Sequence, residues 1–148
     1  TPTALVLSRQ NLPAVEGTSR EAEKGAYVLG DCEGTPELIL MASGSEVALA
    51  VKAKTELEKE GRKVRVVSMP SMEVFEEQTA EYKESVLPGT VRKRVAIEAL
   101  SGFGWHRYVG LDGTLITMDG FGASAPSGKL FEHFGFTVDH VVAAAKAL

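Results

Sequence analysis

Arg9 is the side chain in this sequence placed best for chemistry. It follows an apolar run, Ala4-Leu5-Val6-Leu7, and Ser8; Gln10, Asn11 and Leu12 come next, and then Pro13, which cannot donate to a strand ladder. The pattern reads as a buried strand that ends abruptly in a cation. A guanidinium at a strand's end can hold a phosphate through two parallel hydrogen bonds of fixed geometry. In α/β sheets the strand ends face the clefts where ligands sit. On the residues alone, that reading stands level with an ordinary surface ion pair.

The other reactive side chains each carry a plainer alternative. Ser43-Gly44-Ser45-Glu46 lies between an apolar run and a helical pattern. Free amides at such a helix start can hold an anion. The plainer reading is a cap, with Ser43 or Ser45 accepting an orphan amide and Glu46 complementing the helix dipole. A Walker loop is excluded, since its lysine and glycines are missing. Glu98 ends the run Val95-Ala96-Ile97 near Ser101, Gly102 and Trp105, as a candidate base or as a partner for loop amides or a cation. His106, His133 and His140 have no spacing that puts two imidazoles on one helix face. Cys32 sits between Asp31 and Glu33, which disfavour a thiolate. Phe121, Phe131, Phe134 and Phe136 bunch near one end, as a packing cluster or as a partner surface.

Composition narrows the classes. The chain has 148 residues, enough for a compact domain with a sizeable core. It is 44% apolar and 24% charged with a formal net charge of -4, which argues against nucleic acid and anionic membranes. Arg92, Lys93 and Arg94 are the only basic run and read as a solvated lead-in to a strand. No apolar run approaches the ~20 residues that cross a bilayer. A single cysteine leaves no disulfide framework and fits a reducing, cytoplasmic setting.

The elements that must position these residues follow from periodicity. Strands are expected at 27–29, 38–42, 64–69, 94–99 and 114–118. The unbroken apolar run at 38–42 fits a strand covered on both faces. Val47, Ala50, Val51 and Leu57 recur at helical spacing until Gly61 stops them. Helices are also expected over 73–87 in one or two pieces, within 102–110 around Trp105, and from Ser124 and Pro126 through Phe134. Thr137 should cap the last, whose apolar face is Val138, Val141, Val142, Ala145 and Leu148. Strands alternating with helices imply a mostly parallel sheet between two helix layers, a three-layer α/β/α architecture. Residues 11–25 read as a connector. The opening strand has no nearby partner in sequence, and the first residue is Thr1, so its sheet is expected to be built from upstream sequence.

Several segments, in this order, resemble the transketolase family. They are Leu7-Ser8-Arg9-Gln10-Asn11-Leu12-Pro13, Gly25-Ala26-Tyr27-Val28-Leu29, Ala42-Ser43-Gly44-Ser45-Glu46-Val47 and Arg65-Val66-Val67-Ser68-Met69-Pro70. Tyr82 to Pro88, Phe121-Gly122-Ala123-Ser124-Ala125-Pro126 and Phe134-Gly135-Phe136-Thr137 continue the match. Ala26 and Ser43 are small departures from glycine and threonine.

The resemblance implies a division into residues 1–25, the last strand of a pyrimidine-binding domain plus a linker, and residues 26–148, the carboxyl-terminal domain. It implies a five-stranded, mostly parallel sheet with one short antiparallel strand. It implies transfer of a two-carbon ketol group from a ketose phosphate to an aldose phosphate in the pentose phosphate pathway, by a cytoplasmic homodimer using thiamine diphosphate and a divalent cation (Mg or Ca). In the family the arginine of the Ser-Arg-Gln motif binds the sugar phosphate, which assigns that role to Arg9. A glutamate for the aminopyrimidine and a Gly-Asp-Gly type metal motif are not recognisable here; Gly110-Leu111-Asp112-Gly113 lacks the downstream asparagines. The resemblance therefore puts no catalytic, cofactor or metal ligand on this chain and makes it inactive alone. Dihydroxyacetone synthase shares this architecture and ketol chemistry, and these segments do not separate the two.

Overall fold

Leu38–Ala42 is buried along its whole length, which explains its lack of alternation. Leu38, Leu40 and Ala42 enter one core, and Ile39 and Met41 enter another on the opposite face. This computed structural model describes residue 2, residues 4–8 and residues 10–148. Arg9, the expected phosphate ligand, lies outside the described residues, as do Thr1 and Thr3.

The strands are β1 (Tyr27–Gly30), β2 (Leu38–Ala42), β3 (Val64–Ser68), β4 (Arg94–Glu98) and β5 (Thr114–Thr117). They form one sheet in the order β1-β3-β2-β4-β5. β1 runs antiparallel to β3 and shifts register between Val28 and Gly30; the other pairings are parallel. The helices are α1 (Glu46–Lys59), α2 (Met72–Glu76), α3 (Ala80–Val86), α4 (His106–Val109), α5 (Ser127–His133) and α6 (Val138–Lys146). The expected helix over 73–87 is thus two pieces, because Thr79 caps a fresh start by accepting the Tyr82 amide. Thr137 likewise caps α6 through the His140 amide.

The three-layer expectation holds. α1 and α6 cover one face through Val47, Ala50, Ala53, Leu57, Val141 and Ala145. The other face is covered by Phe75, Val86, Trp105, Tyr108 and Val109 from α2, α3 and the α4 region. Truncating a fully buried residue such as Leu40 to alanine would cost about 2–5 kcal/mol.

Two arginines at strand positions work inside the fold. Arg65 on β3 is buried and grips Asp31 with Nε–Oδ1 at 2.9 Å and Nη2–Oδ2 at 2.8 Å. Arg94, expected on a solvated lead-in, is instead half-buried. Its guanidinium donates to the carbonyls of Val91, Tyr108, Leu87 and Pro88, the last of which also accepts the Val91 amide. Gly25 closes a 3-10 turn (Arg20–Lys24) at φ 83°, and a Cβ there would stand 2.3 Å from the Phe75 nitrogen.

Ala4–Ser8, read as a buried strand, belongs to no strand in this structure, and Leu5, Val6 and Leu7 are exposed. A strand exists only with a partner ladder, and the sheet here is built from other residues.

Candidate functional site at the carboxyl edge of the sheet

The parallel strands β2, β3, β4 and β5 all release their carboxyl ends on one edge of the sheet. A groove of about 530 Å³ runs along part of that edge. Leu5, Leu7, Ser8, Ser43, Glu46, Glu98 and Leu100 are among the residues that line it.

The two serines of the loop after β2 do not cap α1 as expected. Ser43 Oγ donates to Glu98 Oε2 at 2.8 Å. Ser45 is already helical in backbone conformation, so its hydroxyl misses the helix amides and donates to the Glu46 carboxylate. The Glu46 and Val47 amides are taken by the carbonyls of Ser43 and Gly44. The anion reading of this helix start therefore loses its donors, and two carboxylates stand where an anion would sit.

Glu46 is only 3% exposed. Burial pushes its carboxyl above the ordinary carboxylate range; the Ser45 hydroxyl and the Ala99 amide pull it back, and the charge of Glu98 raises it further. Chemically, this edge offers acceptors to a cation or hydrogen-bond donor. Glu98, expected as a base or as a partner for amides or a cation, is instead held by a hydroxyl from the neighbouring strand's loop.

The remaining candidates scatter. His140 Nδ1 bonds the Gly135 carbonyl at 2.8 Å. His133 stacks edge-on against Phe134 with centroids 4.8 Å apart, and His106 lies exposed at the start of α4. Cys32 is partly exposed, and its amide donates to Asp31 Oδ1 at 3.0 Å. The aromatic group divides: Phe136 is buried and meets Phe131 at 5.5 Å, whereas Phe121 is fully exposed. Among the described residues, no three His, Cys, Asp or Glu side chains gather as metal ligands.

A further polar cluster went unread in the sequence. Glu76 accepts from Tyr108 Oη at 2.9 Å, Arg107 Nη2 at 2.7 Å and Lys83 Nζ at 3.2 Å. Residues 31 positions or more apart supply two of these donors, so no local spacing could have shown it.

The family described as the transketolase-like TK C-terminal domain matches residues 25–137. A curated transketolase from Halalkalibacterium halodurans is 60% identical over 99% of the chain and 23% of its own length. The transketolase structure from Leishmania mexicana superposes with a TM-score of 0.87 at 43% identity, covering 95% of this chain and 20% of that one. The Pichia stipitis transketolase in complex with sedoheptulose 7-phosphate gives 0.84 at 42% identity, covering 93% and 20%. The chain therefore spans about a fifth of the length of the relatives it matches.

Proposed function

The chain belongs to the transketolase C-terminal domain family, and on that footing we propose that it serves as the carboxyl-terminal part of a transketolase. In this reading residues 26–148 are the carboxyl-terminal domain, and residues 1–25 are the last strand and linker of the pyrimidine-binding domain. The whole enzyme moves a two-carbon ketol group from a ketose phosphate to an aldose phosphate in the cytoplasm, as a homodimer. The observation that carries the reading is 60% identity to a transketolase across 99% of the chain.

Arg9 is the residue of this chain assigned to substrate. Its fork of donors matches a sugar phosphate, and its motif is the family's Ser-Arg-Gln. That a relative crystallises with a phosphorylated sugar supports the substrate class.

Thiamine diphosphate, when bound with its divalent cation, carries the two-carbon unit between sugars. The described residues do not fit that pair: no set of three ligating side chains gathers, and the buried carboxylate Glu46 is engaged by Ser45. In this reading the chain works apart from that pair. Its part is to bind the phosphate end of the sugar and to present packing surface. Among the described residues, no helix is long and apolar enough to cross a membrane.

The test uses xylulose 5-phosphate, ribose 5-phosphate, thiamine diphosphate and Mg²⁺. The intact polypeptide that carries this chain should form sedoheptulose 7-phosphate, and the 148-residue chain alone should form none. No product from the intact protein would overturn the reading; turnover by the chain alone would overturn its assigned role.

A further inference from the structure

The loop after β4 turns one aromatic ring inward and another outward. Trp105 is 2% exposed and packs in the core with Ala96 and Tyr108, whereas Phe103 is 92% exposed. Gly104 stands between them at φ 90°, a conformation that suits glycine and lets the two rings part. The Phe103 amide donates to Ser101 Oγ at 3.3 Å, which fixes the turn. A large ring left in water forgoes the stabilisation of burial, so its exposure points to a contact outside the fold.

Phe103 is among the residues that line a groove of about 730 Å³ beside α4 and β5. Gly102 keeps that groove open. Its backbone is not left-handed, so what selects glycine there is space: a Cβ would stand 3.0 Å from Leu115 Cδ1 and 3.1 Å from Thr117 Oγ1. Thr117, His106 and Asp119 also line the groove, and their side chains make no hydrogen bond or ion pair among the described residues. β5 is the last strand of the sheet and pairs only with β4. Alternate N–H and C=O groups along Thr114–Thr117 therefore point away from the ladder.

Charge selects the ligand. No lysine or arginine lines the groove. The arginines nearest in sequence are engaged elsewhere: Arg107 with Glu76, Arg94 with backbone carbonyls and Arg92 with Asp112. Asp119 supplies a negative charge, which disfavours a phosphate or carboxylate. Hydroxyls, an imidazole, a carboxylate acceptor and open strand backbone can exchange hydrogen bonds with the O–H groups of a sugar. The negative face of an open aromatic ring suits the sugar's polarised C–H face. A groove of this size is in the range that holds small molecules.

We propose that this groove binds a neutral polyhydroxyl molecule, an unphosphorylated sugar or polyol, at a site separate from the sugar-phosphate role assigned to Arg9. It shares no lining residue with the groove that includes Leu5, Leu7 and Ser8. The site stands whether or not the polypeptide transfers ketol groups.

Met118 lines the groove and serves as a local reporter. In the intact polypeptide with isotope-labelled methionine methyls, its NMR signal is the one lost in Met118→Leu. D-ribose should shift that signal saturably, with a Kd on the order of 10 mM. Phe103→Ala should weaken binding about tenfold and Asp119→Asn about threefold, while the other methionine signals stay in place and show that the fold is kept. Gly102→Ala, which fills the floor, should weaken binding about tenfold as well. Ribose 5-phosphate should bind there roughly tenfold more weakly than ribose. No saturable shift, a shift that Phe103→Ala and Asp119→Asn leave untouched, or tighter binding of ribose 5-phosphate would overturn the site. A polypeptide that shows the ribose response and no ketol transfer would overturn the functional reading alone.

Discussion

Ser43 Oγ donates to Glu98 Oε2 at 2.8 Å across a separation of 55 residues. The bond ties the loop after β2 to the end of β4, so two neighbouring strand ends hold one rim of the groove. Ser43→Ala leaves a partly buried carboxylate oxygen without its donor. It should cost about 0.5–1.5 kcal/mol, read by denaturant unfolding with an unchanged slope.

Glu46 makes stability depend on pH. Its carboxyl lies above the ordinary value of 4.5, first because it is buried. The folded protein therefore holds that proton more tightly than the unfolded chain. The corresponding stability is fully present below about pH 4.5 and declines as the pH rises through the folded-state value. Glu46→Gln should flatten this decline and raise the thermal midpoint near neutrality relative to the parent. A variant that keeps the parental pH profile would show that Glu46 is not the group responsible.

Arg94 donates to four carbonyl oxygens from two segments, Leu87, Pro88 and Val91 between α3 and β4 and Tyr108 in α4. Arg94→Met keeps the stem but removes the donor from all four, leaving Pro88 its bond to the Val91 amide, and should cost about 2–4 kcal/mol. Arg94→Lys should recover less than half of the loss, since an ammonium lacks the planar fork. Thermal unfolding of the two variants side by side checks both statements.

Tyr108 should ionise late. Burial and the hydrogen bond to Glu76 push its phenol up to about 12. Because the folded value is raised, the protonated phenol favours the native state below about pH 10, and that contribution is lost as the pH climbs toward 12. In an absorbance titration Tyr108→Phe should remove the most alkaline tyrosine step.

Arg9→Ala in the intact enzyme should raise KM for phosphorylated substrates by about 1.5–3 kcal/mol, roughly 10- to 150-fold, and spare unphosphorylated ones. Equal loss on both kinds of substrate would count against phosphate binding.

Local pattern alone carried the five strands of the sheet and their layering with the helices, though not the strand expected at Ala4–Ser8. The unbroken apolar run of β2 demanded cover on both faces, the 3.6-residue spacing of Val47, Ala50 and Leu57 demanded a buried helix face, and Thr137 announced α6. These are local patterns, set by backbone geometry and by which side chains shun water. The order of motifs from Leu7 to Thr137 also carried the family. What each polar group touches emerged with the folded chain. Ser43 looked like a cap and became a strap to Glu98, Arg94 looked solvated and became a latch, and Glu76 gathered Tyr108, Lys83 and Arg107. The physical reason is range: apolar periodicity repeats within a few residues, whereas a hydrogen bond spans about 3 Å between groups that sequence distance does not relate.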